Sequence, residues 1–137
     1  MHITEKITND RVRSFTSAEI NEEIDQQMEE NVEFYSIQNP VTIKRRIEEL
    51  DEEWDVERIL QLNASSLALT GIFLSIFGGK KWLLLSGLVT AFLAQHAIQG
   101  WCPPLEILRK LKVRTRKEID MEKHFLLKAL EERPDLK

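Results

Sequence analysis

Two stretches, Ile59–Gly79 (ILQLNASSLALTGIFLSIFGG) and Trp82–Leu105 (WLLLSGLVTAFLAQHAIQGWCPPL), contain no Asp, Glu, Lys or Arg. At ~1.5 Å rise per residue, roughly 20 helical residues cross a hydrocarbon core of about 30 Å. Each stretch is long enough. Leu67–Phe77 and Trp82–Leu93 are apolar or small all the way round, whereas a buried helix of a soluble bundle usually keeps a polar face. Gly78-Gly79-Lys80-Lys81 leaves room only for a tight turn, with glycine ending the first helix. The expected fold class is therefore an all-α membrane protein. Its centre is a two-helix transmembrane hairpin over residues 59–101, with spans at about 59–78 and 82–101, flanked by cytoplasmic amphipathic helices.

The flanks are a different material. Residues 1–58 carry 7 Lys and Arg against 16 Asp and Glu, residues 59–101 only Lys80 and Lys81, and residues 102–137 carry 10 against 7. The net charge of −4 for the 137 residues hides this segregation. The N-terminus, MHITEKITNDRVRSF, has no apolar run and is no secretory signal peptide. Residues 1–16 are expected to form a mobile polar arm. Over 17–58, Thr16 and Glu19 fit a capping box opening a helix with Ile20, Ile24, Met28 and Val32 on one face. Asn39-Pro40 breaks it, and Ile43, Ile47, Leu50 and Trp54 mark a second amphipathic helix.

Residues 102–137 begin with Pro103-Pro104 and a basic amphipathic stretch. Leu105, Leu108 and Leu111 are expected against acyl chains, with Arg109, Lys110, Lys112 and Arg114 at anionic headgroups. The cluster lacks interleaved aromatics and any nucleic-acid motif, so no nucleic acid is expected. Thr115 and Glu118 form another capping box, before a helix carrying Ile119, Leu126, Leu127 and Leu130. Near the membrane ends, Arg58, Arg109, Lys110, Lys112, Arg114, Arg116 and Lys117 outnumber Lys80 and Lys81 of the turn. That asymmetry is expected to put both termini of this multi-pass protein in the cytoplasm and the turn outside.

Helices in lipid associate through close packing and polar contacts rather than the hydrophobic effect. Ala64, Ala68, Gly71 and Ser75 make one narrow small-residue stripe, and Gly87, Ala91 and Ala94 another. Folding the hairpin about its turn sets Ala68 level with Ala91, and Gly71 near Gly87–Leu88. Gln61, Asn63, Gln95, His96 and Gln99 form a polar cluster within about two turns of the interface, read chiefly as interhelical hydrogen bonding and otherwise as a ligand or proton site. One histidine without further ligands at suitable spacing makes no metal site, so no metal or cofactor is expected. Cys102, the single cysteine, is either a small hydrophobe at a helix break or a thiol activated by neighbouring cations. The chain has no phosphate loop, paired-carboxylate cleft or nucleophile motif. The acidic run 48–57 lacks the glycine and alternating oxygen ligands of a calcium loop.

EEWDVERIL (Glu52–Leu60), the two spans and QHAIQGWCPPLEILRKLKVRTRKEIDMEKHFLLKAL (Gln95–Leu130) resemble the YgaP-like transmembrane domain family, small bacterial inner-membrane domains without an assigned activity. Gly100-Trp101-Cys102-Pro103-Pro104 is the most specific piece, and the resemblance covers about residues 40–130. It implies an inner-membrane hairpin that forms a homodimer through its spans. Some relatives carry a fused rhodanese sulfurtransferase. No segment here is long enough to hold one, so that catalysis is not expected. The leading expectation is a non-enzymatic scaffold or anchor that forms a homodimer or higher homo-oligomer in the bilayer and presents cytoplasmic helices to a protein partner. The alternative is a thiol-dependent sulfur or redox carrier using Cys102. Ion or small-molecule permeation needs a polar lining that one hairpin lacks.

Overall fold

A computed structural model describes residues 10–133, all helix, turn and loop without a strand among them. The elements are α1 (Arg11–Ser14), α2 (Ala18–Ser36), α3 (Pro40–Glu52), α4 (Val56–Gly78), a 3-10 turn (Lys80–Trp82), α5 (Leu83–Gln99), α6 (Pro103–Lys110) and α7 (Arg116–Glu131). Residues 1–9 of the expected mobile arm lie outside the described residues.

The start signals are local. Asn39 accepts from Thr42 N ahead of Pro40, Asp55 accepts from Arg58 N, and Thr115 with Glu118 closes a complete capping box. Each satisfies backbone donors that have no partner in the first helical turn. The cap of α2 falls one residue later than expected, on Ser17, whose side chain accepts from Ile20 N. Thr16 is occupied elsewhere: its hydroxyl donates to Val12 O and accepts from Arg109 Nε. Gly79 at φ 96° and Gly100 at φ 80° end α4 and α5 in backbone conformations that favour glycine.

The chain forms two layers with opposite burial. In one, α2, α3 and α7 pack around Met28, Ile43, Ile47, Leu50, Ile119 and Leu126. Trp54, expected on the α3 stripe, falls beyond its end and lies exposed beneath the guanidinium of Arg58, 4.4 Å from the ring centroid. In the other layer, α4 and α5 run antiparallel, and only Val56, Leu60, Gly71 and Ser86 of them are buried. Phe73, Ile76, Phe77 and Leu84 stand 63%, 71%, 77% and 79% exposed. A soluble core helix would bury these side chains. Helices this apolar, this long and this bare belong in hydrocarbon, and the molecule is an all-α membrane protein.

The layers meet in a small joint core of Val12, Val56, Leu60, Cys102 and Leu105, with Trp101, Leu108 and Val113 against it. This changes two expectations. Residues 10–16 do not stand free: Val12 is buried and α1 docks on the end of α5 through Arg11. Leu105 points into protein rather than lipid, leaving Ile107 and Leu111 as the exposed apolar side chains of this segment.

Candidate functional site at the base of the hairpin

Within the hairpin, one small-residue stripe lies in the seam and the other does not. Gly71 is buried, and Ala64, Ala68 and Ser75 are partly buried. The opposing side chain is Ser86, whose hydroxyl donates to Ala68 O at 2.7 Å. A Cβ on Gly71 would lie 2.3 Å from Ser86 Oγ and 3.0 Å from Trp82 O. The face of α5 toward α4 is Ser86, Val89, Leu93 and His96, while Gly87, Ala91 and Ala94 are exposed. Ala68 therefore meets Ser86 rather than the expected Ala91, and α5 turns toward α4 a face about one residue round the helix from the expected one. The 3-10 turn packs against α4 and brings Trp82–Ser86 alongside it first. A Cβ on Gly87 would meet nothing within 4 Å.

Of the polar cluster, Asn63 and His96 do come together, lining one apolar groove of about 240 Å³ with Cys102 and Pro103. Gln61 and His96 share the wall of a larger chamber beside it. Gln95 donates to Gln99 at 3.4 Å, within α5 rather than across to α4. The Nδ1 atom of His96 is buried without a hydrogen-bond partner among the described residues. Among the described residues no group of three or more His, Cys, Asp or Glu side chains is placed to hold a metal.

Cys102 is 3% exposed in the joint core. Burial pushes its thiol above the usual range, only partly offset by a backbone hydrogen bond from Leu105. The cations expected to activate it are turned elsewhere. Its alkylation by iodoacetamide near neutral pH is expected to be roughly tenfold or more slower in the folded protein than after unfolding in dodecyl sulfate, because the thiolate is the reactive form. Equal rates in the two states would show a thiol open to reagent.

The basic residues assigned to headgroups divide. Lys110 and Lys112 are exposed, with Lys112 pairing to Glu23 at 3.2 Å. Arg109 and Arg114 are buried, and their assignment is corrected. All five N–H donors of Arg109 are taken: Nε by Thr16 Oγ1, Nη1 by Val113 O and Glu118 Oε2, and Nη2 by Asn21 Oδ1 and Glu118 Oε1. Glu118, 0% exposed, also accepts from Arg13 Nη1 at 2.7 Å and Thr115 N at 2.8 Å. Arg13 in turn grips Asp25 with both terminal nitrogens. One turn along α7, the buried Glu122 receives Arg46 through Nε and Nη2, and Arg114 through Nη1. Arg114 also forks onto Glu53.

Four arginines thus form two largely buried clusters with carboxylates, Arg13 and Arg109 with Asp25 and Glu118, and Arg46 and Arg114 with Glu53, Glu122 and, at the exposed edge, Glu49. Buried charge is tolerated when paired and fully hydrogen-bonded. Burial pushes the Glu118 carboxyl up, but the hydrogen bonds and charge of Arg109, with those of Thr115 and Arg13, outweigh it and hold the group below its ordinary value. The sequence carried a signal for this: Glu118, Glu122 and Leu126 fall at i, i+4 and i+8, one face of α7.

Two bare apolar helices rooted in a charge-latticed helical base make this an integral membrane protein. Residues 55–118 match the family described as "Inner membrane protein YgaP-like, transmembrane domain", the family the sequence resembles, over a shorter stretch than 40–130. That segment spans Asp55, which caps α4, through Glu118, the carboxylate at the centre of the lattice. No curated protein and no solved structure matches the chain.

Proposed function

We propose that the protein is a non-enzymatic membrane anchor that self-associates through α5 and presents its helical base to a protein partner in the cytoplasm. The observation that carries this reading is the outward stripe of Gly87, Ala91 and Ala94, exposed along α5 while α4 supplies the small residues of the hairpin's own seam. Small residues on an outer helix face allow a second backbone to approach closely. The base supplies rigidity through its charge lattice, and Phe34, Ile37 and Val41 stand 57%, 68% and 77% exposed around the α2–α3 corner as contact candidates for a partner. The seven-to-two excess of Lys and Arg at the base end over the turn favours a cytoplasmic base. The thiol-carrier alternative rests on Cys102, and its burial and raised pKa weigh against it.

Self-association is tested in membranes by disulfide trapping in a Cys102→Ser background. A cysteine at Ala91 is expected to give a covalent dimer on mild oxidation, while one at Ile72, also exposed but on α4, is not. Monomer only, or equal dimer from both positions, would overturn this mode of association.

A further inference from the structure

Helix α6 presents two opposite faces. Leu105 and Arg109 are each 1% exposed and point into the base. Ile107 and Leu111 stand 63% and 70% exposed, with Pro104 exposed on the same side. A two-residue step is about 200° round a helix, so the exposed pair lies opposite the buried one. The inner face is held by protein, and nothing among the described residues covers the outer one.

The depth of α6 says what meets that outer face. Counting back along α4 from Gly78, roughly 20 residues cross the hydrocarbon core and end near Ile59. Helix α6 begins at that level, where Cys102, Pro103 and Pro104 line the small apolar groove together with Leu60, Leu67 and Phe92. The turn after α6 reaches the first residue of α4, where Val56 N donates to Arg114 O at 3.0 Å. From Leu60 to Val56 is about 6 Å along the axis of α4, while α6 is about 12 Å long. The helix therefore lies nearer to the membrane plane than to the axis of the spans, in the layer of glycerol and headgroups. Its exposed face also continues the lipid-facing surface. Leu67 and Phe92, exposed on the spans, share the groove with Pro103 and Pro104, and Ile107 and Leu111 follow on from these. That continuity selects lipid over a soluble partner.

We propose that α6 is an interfacial helix whose Pro104, Ile107 and Leu111 insert among the glycerol ends of the phospholipids beside the base, and so fix the depth at which the hairpin stands. Amphipathic helices of this kind bury their apolar face roughly 5–10 Å into the boundary between headgroups and acyl chains. Arg109 on the same helix is held by Glu118 of α7, so the contact also seats the base on the leaflet. The surface uses none of Gly87, Ala91 and Ala94 and stands or falls apart from self-association.

The test is fluorescence quenching of the full chain in phosphatidylethanolamine–phosphatidylglycerol vesicles. In a Cys102→Ser background, single cysteines at Ile107, Leu111 or Ile37 carry a nitrobenzoxadiazole label. Ile37, 68% exposed at the α2–α3 corner, is an apolar position of similar exposure. Lipid with a doxyl group near the glycerol end of its acyl chain is expected to quench the labels at Ile107 and Leu111 about twofold or more beyond that at Ile37, and aqueous acrylamide the reverse. Leu111→Glu, at an exposed position that leaves the joint core intact, is expected to cut lipid quenching of the Ile107 label by about twofold, while Phe34→Glu at the corner leaves it unchanged. Vesicles of phosphatidylcholine alone are expected to give the same pattern, because the face is apolar. Equal lipid quenching at all three positions, stronger acrylamide quenching at Ile107 and Leu111 than at Ile37, or no response to Leu111→Glu would overturn the proposal. A pattern seen only with anionic lipid would reassign the contact to charge and overturn it equally.

Discussion

Glu118→Gln is expected to unfold the helical base under conditions where the wild-type protein is fully folded. The carboxylate is 0% exposed and accepts four hydrogen bonds, two from Arg109 and one each from Arg13 and Thr115 N. Glutamine preserves the shape but removes the charge and one acceptor. Arg109, 1% exposed, is then buried beside a neutral amide whose NH₂ group faces a donor. Breaking a buried pair from one side costs about 3–5 kcal/mol, against a total of roughly 5–15 kcal/mol for a typical domain. The urea midpoint of the far-ultraviolet dichroism in mild detergent measures this. Removing both partners should cost less: in Glu118→Leu with Arg109→Met, Arg13 still holds Asp25 through two bonds. The double variant should therefore lose less than the two single changes added together. Strict additivity would mean that the two groups do not act as a pair.

The same carboxylate sets an acid limit. Its pKa in the folded protein lies below the ordinary glutamate value because the bonds and charge of the arginines overcome desolvation. A depressed folded-state value stabilises the fold above the unfolded-state value of about 4.3, and that stabilisation is lost as pH falls from there through the folded-state value. Stability of the base should thus be nearly flat from neutral pH down to about 5, then decline. Glu118→Gln should flatten that acid limb.

The spans were legible because hydrocarbon demands one property, unbroken apolarity over a fixed length, and that property is written residue by residue. The match over residues 55–118 upholds the resemblance drawn from the spans and the Gly-Trp-Cys-Pro-Pro segment. The base was legible where a single local rule governs, as at Asn39-Pro40 and the Thr115–Glu118 box. It was illegible where partners are distant in sequence. Arg13 and Glu118 are 105 positions apart, and Arg46 and Glu122 are 76. Arg109 and Arg114 lie only 9 and 8 positions from Glu118 and Glu122, but the turn between α6 and α7 that brings them together follows no periodic pattern, so they read as two more cations at a membrane lip. The α5 stripe failed for another reason. Helix α5 is apolar or small nearly all round, so composition alone does not say which face meets α4, and the face about one residue round the helix, Ser86, Val89, Leu93 and His96, meets it while Gly87, Ala91 and Ala94 point outward.

That ambiguity makes glycine-to-leucine changes in the two spans a sharp pair. At Gly71 the backbone of α4 approaches Trp82 O and Ser86 closely enough that even a methyl group displaces one of them, and Ser86 cannot move without giving up its hydrogen bond to Ala68 O. Leucine there should push the spans apart by on the order of 2 Å, since interaxial distance follows the side chains at the contact. Lipid provides no hydrophobic drive to close the gap, and the overpacking should cost about 1–3 kcal/mol. Spin labels on the exposed Leu69 and Leu88 would report the separation by pulsed electron resonance in nanodiscs. Gly87→Leu should leave that distance unchanged, because nothing lies within 4 Å of its Cβ. Its effect should fall instead on the covalent dimer trapped through position 91, which leucine blocks from close approach. If Gly71→Leu left the spacing intact while Gly87→Leu widened it, the two faces of the hairpin would have to be exchanged: α5 would meet α4 through its glycine, and the outward surface offered to a second copy would be the one containing Ser86.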